Sequence, residues 1–531
     1  MANPRYDDLA SYYDDVPYDS QPFPQSSPEH MATRAFTFGL SAPALASSRV
    51  LELGCAGGNN LIPFAARYPQ ATAIGIDLSK VQIAQGLASA RRAGLKNIDF
   101  HVADIASIDS SFGQFDYIVC HGVYSWVPVT VQDAILRICN QNLAPNGVAY
   151  ISYNVYPGWK VREIVRDAMR LRGGLEKTPA EKLASGRGML DFLEETASSG
   201  SIMRTALDDV LPVIRSAHPS YVLHDYMEPF NAPCYFKDLM ARAGASGLTY
   251  LAEAASSLMF AENYPEAVRE FLVRESGGSQ VVMEQYIDFF RNRSFRQTLF
   301  VKEAKANQIS YVLDPSRVDA MYFAGFYSAA GGGQVTIDDR EQLCSTPCNR
   351  SLMLRGLVDK AVVLVLDERF PACMSSDEIV TSVAELVGQS IVTVRARVSM
   401  LLKDLVQRGS IYSRSERPNV AAYLQPRPRA LEANCRTFSS WSLEERPRTA
   451  CNQWHENVAL TSLEAFLLPL TDGSRSYEML EAEMTAAGFA RILNLSSQSE
   501  LAEDAVAAAD AIRAELMRSL ESMRRKGLFV A

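Results

Sequence analysis

Val50-Leu51-Glu52-Leu53-Gly54-Cys55-Ala56-Gly57-Gly58 is the stretch whose reading decides the fold. An apolar run closes on an acid and breaks into small residues. Asn59-Asn60 then opens the amphipathic Leu61-Ile62-Pro63-Phe64-Ala65-Ala66. This order reads as strand, tight loop and helix, the opening unit of a nucleotide-binding α/β sheet. Gly54 and Gly57 allow the backbone to approach a ligand because no Cβ intrudes. A second apolar run, residues 72–76, delivers Asp77 and then Leu78 at its end. An acid roughly 20 residues beyond such a loop suits the two hydroxyls of a ribose.

A dinucleotide loop would read G-x-G-x-x-G and hold its pyrophosphate on the helix N-terminus. From Gly54 the spacing is instead G-x-x-G-G, and Asn59 stands where a last glycine would be. The Gly-Lys-Ser/Thr of a phosphate-binding P-loop is absent as well. The loop therefore suits a ligand with a ribose and no phosphate. In this it resembles the first motif of class I S-adenosylmethionine-dependent methyltransferases.

Outward from the loop, residues 96–102 read as a third strand, followed by Asp104-Ile105. Residues 115–120 read as a fourth, followed by His121-Gly122, and residues 147–153 as a fifth. Residues 80–93 and 131–142 carry apolar side chains at helical spacing. Alternating strands and helices give a parallel doubly wound sheet with its ligands at the strand C-termini. Acids at the ends of the first three strands, Glu52, Asp77 and Asp104, are what the methyltransferase resemblance implies. By it, Asp77 holds the ribose while Asp104 and Ile105 frame the adenine.

The chain has 531 residues, too many for one domain. Its formal net charge of −9 argues against non-specific binding to nucleic acid or membrane. There is no run of 18 apolar residues, so no membrane insertion and a cytoplasmic location are expected. The nine cysteines are scattered and set mostly in apolar runs, which reads as reduced core thiols. Cys344 and Cys348 have ligand spacing but no second Cys or His pair nearby, so no metal is expected.

The expected class is α/β: a Rossmann-like class I methyltransferase sheet with a helical insertion, followed by mostly α accessory domains. Residues 1–34 are rich in Tyr and Pro and read as an N-terminal lid segment. The catalytic domain is placed at 35–260, with the insertion at about 160–215. Residues 220–226 and 247–253 look like the missing final strands of its sheet. A middle region follows at 261–349, a winged-helix-like domain at 350–425 and a C-terminal helical domain at 430–531. In the last of these, Ala505, Ala508, Ala509, Ile512, Leu516 and Leu520 mark an apolar stripe.

Methyl transfer is an in-line displacement, and the protein must orient the acceptor and exclude water. A lysine ammonium of pKa about 10.4 must lose a proton first, at a cost of about 4.6 kcal/mol at pH 7. A thiol of pKa about 8.5 needs only about 2 kcal/mol. A lysine acceptor therefore wants a desolvated aromatic channel. His121-Gly-Val-Tyr124-Ser125-Trp126 and Tyr153-Asn154-Val-Tyr156-Pro-Gly-Trp159 supply aromatics after strands four and five, at the ligand edge. Enzymes that methylate nucleobase amines carry Asn/Asp-Pro-Pro-aromatic after strand four; that sequence is missing here, so nucleic acid is not an expected partner.

The resemblance is closer than the superfamily. Tyr13-Asp-Asp-Val-Pro-Tyr18, Phe23-Pro-Gln-Ser-Ser-Pro-Glu-His30, Leu51-Glu-Leu-Gly-Cys-Ala56 and Cys120-His-Gly-Val-Tyr-Ser-Trp126 are similar to a bacterial family carrying a methyltransferase regulatory domain. Arg291-Asn-Arg-Ser-Phe-Arg296 and Leu467-Leu-Pro-Leu-Thr-Asp-Gly473 extend the likeness into the later domains. That family includes the rickettsial lysine methyltransferases of outer-membrane proteins. Gly57-Gly58-Asn59-Asn60 departs from the Ser-Gly-Gly-Asn type of loop expected there.

The resemblance implies S-adenosyl-L-methionine as donor, with S-adenosyl-L-homocysteine as product. It places Tyr13, Glu52, Gly54, Cys55, Gly57, Asn59, Asp77, Leu78, Asp104, Ile105 and His121 at the donor. Tyr18, Tyr124, Trp126 and Tyr153 would line the acceptor channel as the catalytic set. The expected acceptor is protein lysine; a small-molecule thiol or amine is the alternative, and an S-adenosylmethionine-binding regulatory protein a minor one. A homodimer through the C-terminal domains is a further expectation.

Overall fold

The computed structural model describes residues 13–18, 20–176, 178–442, 445–488 and 503–531. Residues 1–12 of the expected lid, and the side chains of Ala505 and Ala508, lie outside the described ones.

The five apolar runs become β1 (Arg49–Leu53), β2 (Thr72–Asp77), β3 (Ile98–Val102), β4 (Phe115–Cys120) and β5 (Leu143–Asn154). All five are parallel, in the order 3-2-1-4-5. Val50, Leu51 and Leu53 are fully buried, as a central parallel strand covered on both faces requires. The helix Lys80–Ala93 begins where Ser79 accepts the Gln82 N–H and stops at Gly94, whose φ of +74° is the left-handed C-cap. Such local signals reproduce the predicted helix bounds.

The far edge of the sheet differs from the expectation. Residues 220–226 are helical, a short helix Pro219–Val222 running into a π-helical turn, Leu223–Met227. Val222, Leu223, Tyr226 and Met227 share a face and pack on Val165, Met169, Leu207 and Leu211 of the insertion helices. That spacing is helical, not alternating, which is why no strand forms.

The sheet is completed by β6 (Leu248–Glu253) and by β7 (Phe295–Lys302), which lies between β5 and β6 and antiparallel to both. The sheet therefore extends past the expected boundary at residue 260. A buried arginine masks β7 as a core strand. Arg296 is fully buried and bonded to Glu253 at 2.8 Å, Glu284 at 2.9 Å and Asp288 at 2.8 Å. Glu284 and Asp288 come from the helix Gln280–Arg291, so the segment after 260 neutralises the charge that its own strand buries.

The insertion comprises helices Gly158–Gly173, Pro179–Thr196 and Ile202–Ser216, closed on a core of its own that also receives Val16. Downstream, helices Gly356–Arg369, Ser376–Val387 and Ile391–Arg408 pack beside a small sheet of Tyr322–Ala324, Met374–Ser375 and Tyr412–Arg414. The last region carries the hairpin Thr449–Cys451/Asn457–Ala459 and the helix Glu503–Arg525. In that helix Ile512, Leu516 and Leu520 are buried, whereas Ala509 is exposed.

Candidate functional site

The β1 loop is shaped by close approach. Gly54 has φ +73°, and a Cβ there would stand 2.4 Å from Val123 Cγ2. Gly58, at φ +75°, would meet the Phe100 ring at 2.3 Å. Both positions require glycine on conformation and space alike. The loop is tied to β2: Gly54 and Cys55 N–H donate to the Ile76 carbonyl, and Ala56 N–H donates to Asp77 Oδ2 at 2.8 Å. Asp77 Oδ1 accepts the Ser79 N–H at 2.9 Å. Burial raises the Asp77 pKa even though these bonds favour its charged form. A carboxylate has about four acceptor sites, so Asp77 keeps capacity for a ligand's hydroxyls beyond these two bonds.

A cavity opens against this loop, lined by Tyr13, Tyr18, Glu52, Gly54, Cys55, Asp77, Leu78, Ile105, His121 and Trp126. Ten of the residues expected at the site from sequence thus meet in one place, joined by Ser20, Gln21, Phe23, Asn60 and Gln82. Glu52 is buried; Asn60 Nδ2 donates to its Oε1 at 2.8 Å, and its Oε2 has no hydrogen-bond partner among the described residues. That burial pushes the Glu52 pKa up to about 8. The His121 ring lies 3.8 Å from that of Phe23, with Nδ1 2.8 Å from Tyr150 Oη. Burial lowers its pKa to about 4, so the imidazole is neutral at neutral pH.

The described part of the N-terminal segment crosses this cavity. Asp14 Oδ1 accepts from Ser79 Oγ at 2.6 Å and from the Val81 N–H. His224 Nε2 donates to the Val16 carbonyl at 3.0 Å, and Tyr13 stacks on the His224 ring. Ser20 Oγ accepts the Asn59 N–H, while Phe23 N–H donates to Asn60 Oδ1. The segment is therefore strapped to the loop on one side and to the insertion on the other.

A second chamber shares Tyr13, Tyr18, His121, Gly122 and Trp126 with the first. It extends to Asn154, Trp159, Arg162, Tyr221, Asp225, Glu228 and Phe295. Trp126 and Trp159 meet edge to face at 6.0 Å. Glu228 is 1% exposed, and among the described residues neither carboxylate oxygen has a hydrogen-bond partner; His224 Nδ1 stands 3.9 Å from Oε2, and the buried Arg166 donates to the Glu228 backbone carbonyl. Burial raises the Asp225 pKa to about 6. Arg162 on the same wall is held by Asp209 at 3.3 Å.

Several expected residues stand elsewhere. Tyr124 and Tyr153 are fully buried, with rings 6.1 Å apart, and line neither chamber. The pleat of β5 explains Tyr153. Ser152 and Asn154 face the site side, where Ser152 Oγ accepts the Gly122 N–H and Asn154 lines the second chamber. Tyr153, between them, points to the other face and bonds Thr298 Oγ1 at 2.8 Å. Tyr124 fills the core beside it. Gly57 and Asn59 shape the loop without lining the cavity, and Asp104 caps the turn Ile105–Ser107 through the Ala106 N–H. Reading residues 220–226 as a strand hid Asp225, which lies in the π-helical turn Leu223–Met227, and Glu228, which follows directly after it.

Three family models match segments of the chain. Residues 50–147 match a methyltransferase domain and residues 218–302 a predicted methyltransferase regulatory domain. Residues 434–528 match the C-terminal winged helix domain of PKMT, in the region read from sequence as a helical domain. An uncharacterized protein of Rickettsia prowazekii is 43% identical over 291 residues, 54% of this chain and 52% of its own length. A second from that organism is 38% identical over 232 residues, 44% of this chain and 93% of its own length. The chain thus spans about half the length of the first relative and nearly all of the second. Among solved structures, PKMT2 from Rickettsia typhi in complex with AdoHcy superposes with a TM-score of 0.83 at 25% identity, covering 97% of this chain and 100% of that one.

Proposed function

This chain belongs to the class I S-adenosylmethionine-dependent methyltransferases, and from that premise we propose that it methylates lysine side chains of a protein, with the first chamber holding the donor and the second the acceptor. S-Adenosylmethionine, when bound, supplies an electrophilic methyl carbon on a cationic sulfur. Two observations fit the first chamber to it. Glu52 Oε2 is a buried acceptor without a hydrogen-bond partner among the described residues, suited to the donor's ammonium. Among the described residues, Gly122 has nothing within 4 Å of where a Cβ would stand, leaving space at the junction of the chambers. Asp77 is assigned to the ribose hydroxyls, and Leu78, Ala103 and Ile105 to the adenine faces.

The single observation that carries a lysine acceptor is the Glu228 carboxylate, buried on the wall of the second chamber and without a hydrogen bond among the described residues. A buried carboxylate with no hydrogen bond is costly, and an incoming ammonium removes that cost. Trp126, Trp159, Tyr13 and Tyr18 line the path between the acids and the donor chamber, where aromatic faces favour a cation. The ammonium must then lose a proton. Asp225, with a pKa of about 6, is the raised carboxylate within the chamber and takes it. From an unperturbed lysine this transfer is uphill by about 10.4 − 6 = 4.4 pK units, about 6 kcal/mol, and desolvation of the ammonium reduces it. Neutral His121 adds no charge that would repel either cation. The same two acids oppose formation of a thiolate, so the chamber suits an amine better than a thiol.

Incubating the full chain with labelled donor and bacterial lysate, followed by peptide mapping, tests this directly. Label on lysine side chains is expected. Label found only in small thiols or amines would overturn the protein-lysine reading.

A further inference from the structure

The amide that steadies Glu52 is itself held from the far end of the chain. His455, at the tip of the hairpin Thr449–Cys451/Asn457–Ala459, lies with Nε2 2.9 Å from Asn60 Oδ1, across 395 positions of sequence. Its Nδ1 is 2.6 Å from Arg67 Nη2. A guanidinium only donates, so Nδ1 is the acceptor and the ring proton sits on Nε2, which donates to Asn60 Oδ1. The Phe23 N–H donates to that oxygen as well, at 3.0 Å.

Two donors on Oδ1 decide which way the amide faces. Nδ2 is turned to Glu52 Oε1 at 2.8 Å and to Ser26 Oγ at 3.1 Å. A reversed amide would set its carbonyl oxygen against the Glu52 carboxylate and its NH2 against two donors. The relay is enclosed: His455, Asn60 and Glu52 are each no more than 5% exposed. Arg67 is anchored in turn by Glu29 at 2.8 Å. His455 holds a φ of +66°, a region that non-glycine residues rarely occupy, so its neighbours hold it there.

We propose that His455 is a positioning residue for the donor chamber: the C-terminal region orients Asn60, and through it Glu52, so that donor affinity depends on that region being docked. This rests on the donor reading of the first chamber. The dependence makes the accessory region part of the binding site, and a partner that displaced the hairpin would lower donor affinity.

Calorimetric titration of the full chain with S-adenosylhomocysteine tests the relay. His455→Asn keeps an acceptor towards Arg67 but falls short of Asn60, whereas His455→Gln reaches Asn60 with an amide N–H. The Asn variant, and His455→Ala with it, should bind about five-fold more weakly or worse, the net worth of one hydrogen bond. The Gln variant should return to within about two-fold of wild type. Donor KM should rise in the same order while acceptor KM stays put. Tyr412→Phe removes a 2.9 Å bond to Glu456 in the same hairpin without touching the relay, and should leave donor affinity unchanged. If His455→Ala does not fold, the Asn and Gln pair decides. Equal affinity of wild type and His455→Asn, or a Gln variant as weak as the Asn one, overturns the proposal. A wild-type chain that fails to bind S-adenosylhomocysteine would overturn the donor reading itself.

Discussion

Replacing Glu228 with Gln keeps the shape of the second chamber and removes a buried carboxylate that has no hydrogen bond among the described residues. The residue is 1% exposed, both oxygens lack hydrogen bonds among the described residues, and His224 Nδ1 at 3.9 Å is too far for one. A charged hydrogen bond to an ammonium is worth about 1.5–3 kcal/mol, so KM for a lysine acceptor should rise roughly ten- to hundred-fold. Stability should move the other way. Removing a buried charge that lacks a hydrogen bond relieves part of its desolvation cost, set against the lost attraction to the buried Arg166, so Tm should hold or rise, by roughly 2–4 °C per kcal/mol in a domain of this size. The assay pairs steady-state kinetics at saturating donor with calorimetric melting of the same preparation. A gain in Tm with a rise in acceptor KM marks a residue kept for binding at the expense of stability. An unchanged KM, or a Tm that falls together with donor affinity, would refute the reasoning and return Glu228 to a structural role.

Asp77→Ala should weaken donor binding by roughly 1.5–3 kcal/mol or more in calorimetric titration, and Asp77→Asn by less, because an amide oxygen still accepts one of the two backbone N–H groups now bonded to the carboxylate. Truncation after residue 260 removes β7 and strands Glu253 without Arg296, so circular dichroism should find no folded donor-binding fragment even though every donor motif precedes that point. Asp225, raised to about 6, should give kcat/KM an acid limb near that pH which Asp225→Asn abolishes. Between about pH 4 and 6 the folded chain binds more protons at Asp225 than the unfolded chain, so this group's contribution to stability falls as pH rises through that window, and pH-resolved melting of the Asn variant should lack the slope. Glu52, raised to about 8 without ligand, should ionise when a cationic donor binds; donor affinity should strengthen as pH rises towards 8, and Glu52→Gln should flatten that dependence.

What the sequence determined by itself is whatever depends on neighbours within a turn of helix or a few residues of strand. The small residues after Glu52, the caps at Ser79 and Gly94, and the acids closing β1 and β2 all act locally, and they were legible as a methyltransferase sheet with a donor edge. Part of the lining of the first chamber was legible for the same reason, since Glu52, Gly54, Asp77 and Ile105 follow directly from strand ends. Sidedness was not. Tyr153 is as aromatic as Trp126, but the pleat of β5 sends it to the opposite face, and aromatic composition carries no information about which face a loop-proximal residue takes.

Long-range compensation was not legible either. Arg296 reads as a surface charge until Glu253, Glu284 and Asp288 surround it, and only then can Phe295–Lys302 enter the middle of a sheet. Asp225 and Glu228 join the site because the segment around them coils onto the insertion core and turns both acids to one wall. His455 reaches Asn60 only because a hairpin from the last region docks on the first loop. Local pattern specifies which elements form; which buried polar group meets which partner is set by how those elements pack, because a buried charge or amide is tolerated only where its complement is brought to it.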